Sequence, residues 1–221
     1  MIRSALAPYL GGPYRAVRTA SNSVLTALLV QRARRQLRRF SAPYCLNVGC
    51  GKVRFDGWVN LDENSALDTV DLVWDLRRGL PVPDGSCRFV YCEHLLEHLT
   101  AEQGLSFLRE CRRALNRDGV LRVAMPSLDV ILERAVSDNW RDQDWLTWSK
   151  HGKVKTRAEM INVAFRNWGH QYLYDREELH RRLAEAGFSR VVDCALGESS
   201  KSELKHRETR PDSLLVCEAS V

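Results

Sequence analysis

The feature that most constrains this 221-residue chain lies after Pro43, where short β-like runs begin to alternate with stretches of helical periodicity. The runs are YCLNV (44–48), WVNLD (58–62), VDLVW (70–74), CRFVYC (87–92), GVLRVAM (119–125), RVVDCAL (190–196) and SLLVCEA (213–219). Seven strands in that alternation predict an α/β, doubly wound, mainly parallel sheet with helices on both faces. Thr100 with Gln103 spells a capping box, which predicts a helix from there to about Asn116. Asp175 with Glu178 predicts a similar start for REELHRRLAEAG, stopped at Gly187. Between them, residues 126–169 are too long for a plain loop and hold four of the six Trp, so we expect a partly helical lid insertion over the carboxyl edge of the sheet.

Ahead of the sheet, residues 1–43 read as a basic helical extension of the 44–221 domain. They carry eight Arg and no acid, whereas the rest has 25 Lys and Arg against 28 Asp and Glu. Val17, Leu25, Leu28 and Leu29 form an apolar stripe within a helix expected over 15–40, followed by Arg32, Arg34, Arg35, Arg38 and Arg39. The apolar run VLTALLV is far short of the ~20 residues that span a bilayer, and its charges follow rather than precede it, so neither a secretory leader nor a transmembrane helix is expected. Such a stripe can be a solvated or dimer-packing face, or can lie on an anionic membrane. The slightly acidic remainder weighs against nucleic acid. Seven cysteines without a CxxC fit reduced thiols and a cytoplasmic protein, either free or peripheral to the inner face of the membrane.

In an open parallel sheet, ligands bind beyond the carboxyl ends of the strands where strand order reverses. LNVGCGK falls there, and Gly49 and Gly51 let a ligand approach the backbone with no Cβ in the way. The second strand ends in Asp62, able to accept both hydroxyls of a ribose, and the third leads to Asp75, able to accept from an adenine amino group. Either Asp taken alone is as readily a cap or a turn residue. Their coincidence with GxG at the ends of three successive strands is what points to a nucleoside site.

LNVGCG, GWVNLD, DLVWDLRRGLPVPDGSCRFVYCEHLLEHL and LRECRRALNRDGVLRVAMPSLD together resemble the S-adenosylmethionine-dependent methyltransferase superfamily, in particular its type 11 branch, over about residues 44–130. The resemblance implies a Rossmann-like seven-stranded sheet whose last strand pair is a reversed hairpin. It implies S-adenosylmethionine as cofactor, bound by Gly49, Gly51, Asp62 and Asp75, with Asn47, Cys50, Leu76 and Glu93 on the same surface. The third glycine of a dinucleotide GxGxxG is absent, with Arg54 in its place, which favours this cofactor over NAD. Asn47 stands where the family has an acidic residue. Only ten residues separate Gly51 from Asp62, which leaves little room for a crossover helix and predicts an irregular loop.

EHLLEHL places His94, Glu97 and His98 at i, i+3 and i+4, on one face of the helix expected after the fourth strand. His98 is a candidate general base, a role worth roughly 10²- to 10⁴-fold in rate. Alternatively His94, Glu97, His98 and His170 could hold a divalent metal. That set resembles the ExxEH plus distant His of ubiquinone O-methyltransferases and small-RNA terminal 2′-O-methyltransferases, with His94 in place of the first Glu. A third reading is that the histidines only cap and pack. His170, Tyr172 and Tyr174 either close the cleft from the lid or pack ahead of a helix. Trp140, Trp145, Trp148 and Trp168 either floor a sugar or apolar site or fill the lid core. GWVNLD and GHQYLYD resemble motifs of polysaccharide-associated methyltransferases, which implies a sugar or glycan hydroxyl as acceptor and a place in polysaccharide biosynthesis. A small phenolic acceptor, or a non-catalytic cofactor-binding role in a glycan-assembly complex, are the alternatives.

Overall fold

The structure, a computed structural model, describes residues 28–147 and 154–221. Residues Phe40–Val221 form one compact unit, and the helix at 28–37 belongs to another, Met1–Arg39. Arg32, Arg34, Arg35, Arg38 and Arg39 are all exposed. The expected helical stretch 15–27, with Val17 and Leu25, lies outside the described residues, as does Trp148. Among the described residues no helix is long and apolar enough to cross a membrane.

The strands are β1 (Tyr44–Val48), β2 (Val59–Asp62), β3 (Leu72–Val73), β4 (Cys87–Glu93), β5 (Leu115–Met125), β6 (Arg190–Asp193) and β7 (Leu215–Ser220). They form a single seven-stranded sheet in the order β3-β2-β1-β4-β5-β7-β6. Strands β1 to β5 pair in parallel, while β7 is antiparallel to both β5 and β6. The chain thus winds outward from β1 in both directions, and the reversal beside β1 opens a crevice above its carboxyl end. Among the described residues, the α-helices of this unit are α1 (Ala101–Ala114), α2 (Leu128–Val136), α3 (Arg157–Arg166) and α4 (Arg176–Glu185).

The helix starts follow from side-chain chemistry. At α1 the capping box is complete: Thr100 Oγ1 accepts from the Gln103 N–H, and the Gln103 side chain accepts from the Thr100 N–H. Asp175 caps α4 by accepting from the Glu178 N–H. Glu178 does not return the bond as expected, because its carboxylate takes Tyr172 Oη, Arg181 and Arg182 instead. Gly187 ends the helix with φ +96°. Helix α1 stops two residues sooner than expected, since Leu115 is extended and already paired with Cys87 of β4.

Helices α1 and α4 contact each other, and α1 also meets β5. The opposite face is covered differently. The ten residues between Gly51 and Asp62 hold no helix but an irregular aromatic loop, whose Phe55 and Trp58 pack with Phe89, Tyr91, Val120 and Leu204. A buried polar network fixes this loop where helical hydrogen bonds are missing. Asn47 Nδ2 donates to the Val53 carbonyl and to Asn60 Oδ1, both at 3.0 Å. Asn60 in turn accepts from the Phe55 N–H and donates to the Phe55 and Trp58 carbonyls and to Asp71. Each such bond contributes about 1 kcal/mol net, and far more is lost if one buried partner is removed.

Arg122 sits fully buried in the middle of β5, its guanidinium 2.6 Å from Glu208 and 2.7 Å from Glu218. Glu208 also accepts from the Gly197 N–H, so this ion cluster ties the segment leading to β7 onto the sheet. The lid insertion is helical at α2 and α3, around a core of Ile131, Ala135, Trp140, Leu146, Met160, Ala164 and Leu173. All seven cysteines are free thiols.

Candidate active site

The glycine loop lies at the carboxyl end of β1. Gly49 (φ +69°) and Gly51 (φ +51°) both occupy the left-handed region. A Cβ on Gly49 would lie 2.9 Å from a terminal methyl of Leu95, which would have to shift, on a backbone that already disfavours a side chain. A Cβ on Gly51 would meet nothing within 4 Å, so this glycine presents open backbone of the kind a ligand needs. Asp62 stands opposite, its Oδ2 accepting from the Gly51 N–H at 2.9 Å and its Oδ1 from the Asn64 N–H at 2.8 Å. A carboxylate keeps further lone pairs for ribose hydroxyls.

The other expected cofactor residues divide. Asn47 is buried, and its Nδ2 is engaged in the loop network at the foot of the glycine loop. Asp75 caps the 3-10 turn Leu76–Arg78 and is forked by Arg77 at 2.7 and 3.2 Å. The Arg77 hydrogen bonds hold its carboxyl below the usual range. This is the cap reading, although Asp75 and Leu76 remain at the end of β3, where an adenine would lie. Cys50 is buried, and desolvation pushes its thiol up to about 12, so it is inert. Glu93, at the end of β4, accepts from the Thr209 N–H and Oγ1, the Arg210 N–H and Ser213 Oγ. It is the anchor of the segment 209–213, which nothing in its local sequence signalled.

The helix expected after β4 does not form. His94 has φ +49°, a left-handed value costly for a residue with a Cβ, and it turns the chain sharply. Only a 3-10 turn, Leu96–His98, follows before α1. The turn nonetheless gathers the predicted groups. His94 Nδ1 is 3.4 Å from Glu97, and His94 Nε2 is 3.2 Å from Ser213 Oγ and 3.7 Å from Asp212. Ligand atoms of Glu97, His98 and His170 all lie within 4.8 Å of one another. His94 is not part of that trio, because the reversed φ turns it toward Ser213. The 97–98 and 169–172 segments are clipped together: the Gln171 and Tyr172 N–H groups donate to the Glu97 carbonyl, and Gln171 Nε2 to the His98 carbonyl.

Burial sets the charges here. It drives His94 down to about 3, with Arg210, His170 and His98 adding to the effect. It also lowers His98 and His170, so that all three rings are neutral at pH 7. The same desolvation pushes Glu97 up to about 7. His170 Nδ1 lies 2.7 Å from the Ala164 carbonyl and must carry the proton, leaving a lone pair on Nε2. His98 is held similarly by the Gly169 backbone. Both carboxylate oxygens of Glu97 are buried without a hydrogen-bond partner.

The three histidines border a cavity of about 260 Å³ at the carboxyl edge. His94, His98 and His170 line it from the sheet side, Trp145 and Trp168 from the lid, and Arg210 and Asp212 from the segment ahead of β7. Trp145 and Trp168 meet edge to face at 6.3 Å, and Trp168 lies 5.6 Å from His170. Trp168, at φ +58°, is the second non-glycine residue on this wall held in the left-handed region, and such strain gathers at functional sites. Trp140 instead fills the lid core, Tyr172 stacks under Arg182, and Tyr174 is buried. Sequence reading missed Arg134, Gln143, Arg210, Asp212 and Ser213. Ser213 and His94 are 119 residues apart, and only the pairing of β5 with β7 brings them together.

Residues 58–123 match the family model of a methyltransferase domain. No curated protein sequence matches the chain. Among solved structures, a SAM-dependent methyltransferase from Archaeoglobus fulgidus is 17% identical and superposes over 89% of this chain and 94% of its own, with a TM-score of 0.53. A SAM-dependent methyltransferase from Thermotoga maritima, described as a possible histamine N-methyltransferase, is 16% identical over 93% and 96% of the two chains (TM-score 0.48). One from Mesorhizobium loti is 15% identical over 82% and 92% (TM-score 0.49). The first of these shares the fold.

Proposed function

From the premise of a methyltransferase domain on a class I fold, with S-adenosylmethionine as its cofactor, we propose that the chain methylates a hydroxyl of a sugar or glycan acceptor. The observation that carries this reading is the cavity beside the glycine loop's edge of the sheet, walled by two tryptophans and floored by neutral histidines. When bound, the cofactor supplies a methyl group on a sulfonium. The protein's task is to place the acceptor oxygen in line, within about 3 to 3.5 Å, and to take its proton. Trp145 and Trp168 offer the flat apolar faces on which a sugar ring stacks. His98, neutral through burial, accepts the proton of the acceptor hydroxyl, and His170 stands beside it at 5.0 Å between ring centres. Asp212 Oδ1, buried without a hydrogen bond, accepts from a neighbouring hydroxyl.

Calorimetric titration of S-adenosylhomocysteine into the wild type and Asp62→Ala is the first test, followed by mass-spectrometric detection of methyl transfer to sugars and phenols. Micromolar binding lost in Asp62→Ala, then transfer to a sugar hydroxyl, is the expected outcome. Transfer to phenols alone would replace the acceptor class. Binding without turnover on any acceptor would favour the cofactor-binding scaffold.

One observation favours a second route to the same chemistry. The two unpartnered oxygens of Glu97 beside His98 and His170 form a two-histidine, one-carboxylate set that fits a divalent cation. A cation there would polarise the acceptor oxygen. Calorimetry with Mg²⁺, Mn²⁺ and Zn²⁺ decides: binding abolished in Glu97→Gln supports this route, and no binding of any of the three removes it. The exposed arginines at 32–39 further support docking of the basic extension on an anionic membrane surface, and liposome flotation without salt-sensitive binding would refute that.

A further inference from the structure

We propose, resting on the methyltransferase reading above, that the acceptor is an anion: its carboxylate or phosphate is seated between Arg134 and Arg210, with the reacting hydroxyl turned toward His98 and His170. Both arginines line the same cavity, Arg134 from α2 and Arg210 from the segment ahead of β7. Among the described residues, neither guanidinium has a carboxylate within the 4.0 Å of an ion pair. Several other guanidiniums of this unit are held by carboxylates, although among the described residues Arg117, Arg166 and Arg190 are not. Arg122 is paired to Glu208 and Glu218, Arg113 to Asp84 and Glu110, and Arg182 to Glu178. Both guanidiniums are exposed and hydrated, with Asp212 the acidic group in the same lining, and a guanidinium fork matches a planar carboxylate or a phosphate.

The backbones of both residues are held, while their side chains are exposed. Arg210 is fixed through its own backbone N–H, which donates to Glu93 at 3.1 Å between the other donors, Thr209 and Ser213, on the same carboxylate. Its charge reaches the floor of the cavity, where it bears on His94, Glu97, His98 and Asp212. Arg134 stands at the junction with a second cavity of about 350 Å³, which shares Arg134, Gln143, Trp145, Asp212 and Leu214 with the first. Ser137, Asn139 and Asp142 make that outer space polar. The anion is therefore seated where the inner, reacting unit meets a hydrogen-bonding outer groove, and the remainder of the acceptor runs outward past Arg134.

The test is calorimetry on the full chain saturated with S-adenosylhomocysteine, using paired probes: glucuronate against glucose, and phenyl phosphate against phenol. The anionic member of at least one pair is expected to bind at least tenfold more tightly than its neutral partner, and the pair that responds identifies the anion as carboxylate or phosphate. Arg134→Gln and Arg210→Gln should each erode that advantage and the double variant should abolish it, with S-adenosylhomocysteine affinity unchanged in all three. The proposal is overturned if no anionic probe outbinds its neutral partner, or if the double variant keeps the advantage. Failure of the wild type to bind S-adenosylhomocysteine would show before any probe is added, and would remove the methyltransferase reading and this inference together.

Discussion

Replacing Glu93 separates an anchor for the cavity wall from a cofactor contact, because the two roles move different observables. In the structure its carboxylate collects two main-chain N–H groups and two hydroxyls from Thr209, Arg210 and Ser213, at 2.7 to 3.1 Å. Hydrogen bonds to a charged group contribute about 1.5 to 3 kcal/mol each when fully buried. Here the contacts share one carboxylate at a partly exposed rim, so water recovers part of the loss and the effects do not add. Glu93→Ala is therefore expected to cost about 2 to 4 kcal/mol in all. For a chain of this size that lowers the thermal midpoint by about 4 to 16 °C. Glu93→Gln keeps one acceptor oxygen but turns an amide N–H toward the donors, so it should fall between the two. Differential scanning calorimetry gives the stability, hydrogen exchange reads protection of the 209–213 amides, and titration gives S-adenosylhomocysteine affinity. The expected pattern is a lower midpoint and lost protection of those amides, with cofactor affinity within threefold of the wild type. An unchanged midpoint with a tenfold or larger loss of affinity would refute the anchor argument and return Glu93 to the cofactor.

Gly104→Ala should destabilise by about 1 to 3 kcal/mol, because the new Cβ would lie 2.6 Å from the buried Tyr174 hydroxyl; a midpoint equal to the wild type's would show that Tyr174 can move aside. Arg122→Leu strands Glu208 and Glu218 beside the sheet and should cost about 3 to 5 kcal/mol in denaturant unfolding, while a loss below about 1 kcal/mol would mean that the segment 197–208 is held by other contacts. Hydrogen bonds from Arg181, then Arg182 and Tyr172, hold Glu178 down to about 2 in the folded chain, below its usual 4.5. A depressed carboxyl stabilises fully above its unfolded value and loses that contribution as pH falls through the folded one. The stability gap between wild type and Glu178→Gln should accordingly be constant above about pH 5 and close between pH 4.5 and 2, and a gap independent of pH over that range would contradict the assignment.

The β-runs were readable because strands buried in a parallel sheet must be apolar throughout, and five of the seven sit within two residues of their expected bounds at both ends, while β5 begins four residues early at Leu115. The sixth run, RVVDCAL, pairs only as far as Asp193. The two helix starts were readable for a local reason as well: Thr100 and Asp175 satisfy backbone donors within three residues of themselves. EHLLEHL misled because its spacing suits a helix, whereas His94 adopts a left-handed turn that is stabilised by partners far along the chain. Asn47 stands where the resembled family has an acidic residue, and its local sequence did not show that its amide holds the loop that takes the place of a crossover helix.

The sequence by itself determined the strand and helix alternation, the glycine loop at the end of β1, Asp62 at the end of β2, and the grouping of Glu97, His98 and His170 as chemistry-bearing residues. Each of these depends on neighbours in the chain or on a period of two or 3.6. Only the tertiary structure decided which groups share the cavity. Antiparallel insertion of β7 between β5 and β6 carries Arg210, Asp212 and Ser213 across to His94, and the lid brings Arg134, Trp145 and Trp168 over them. Those encounters span up to 119 residues, and they exist because burying the sheet's edge strands and the lid's apolar core fixes where distant segments end, which no local pattern encodes.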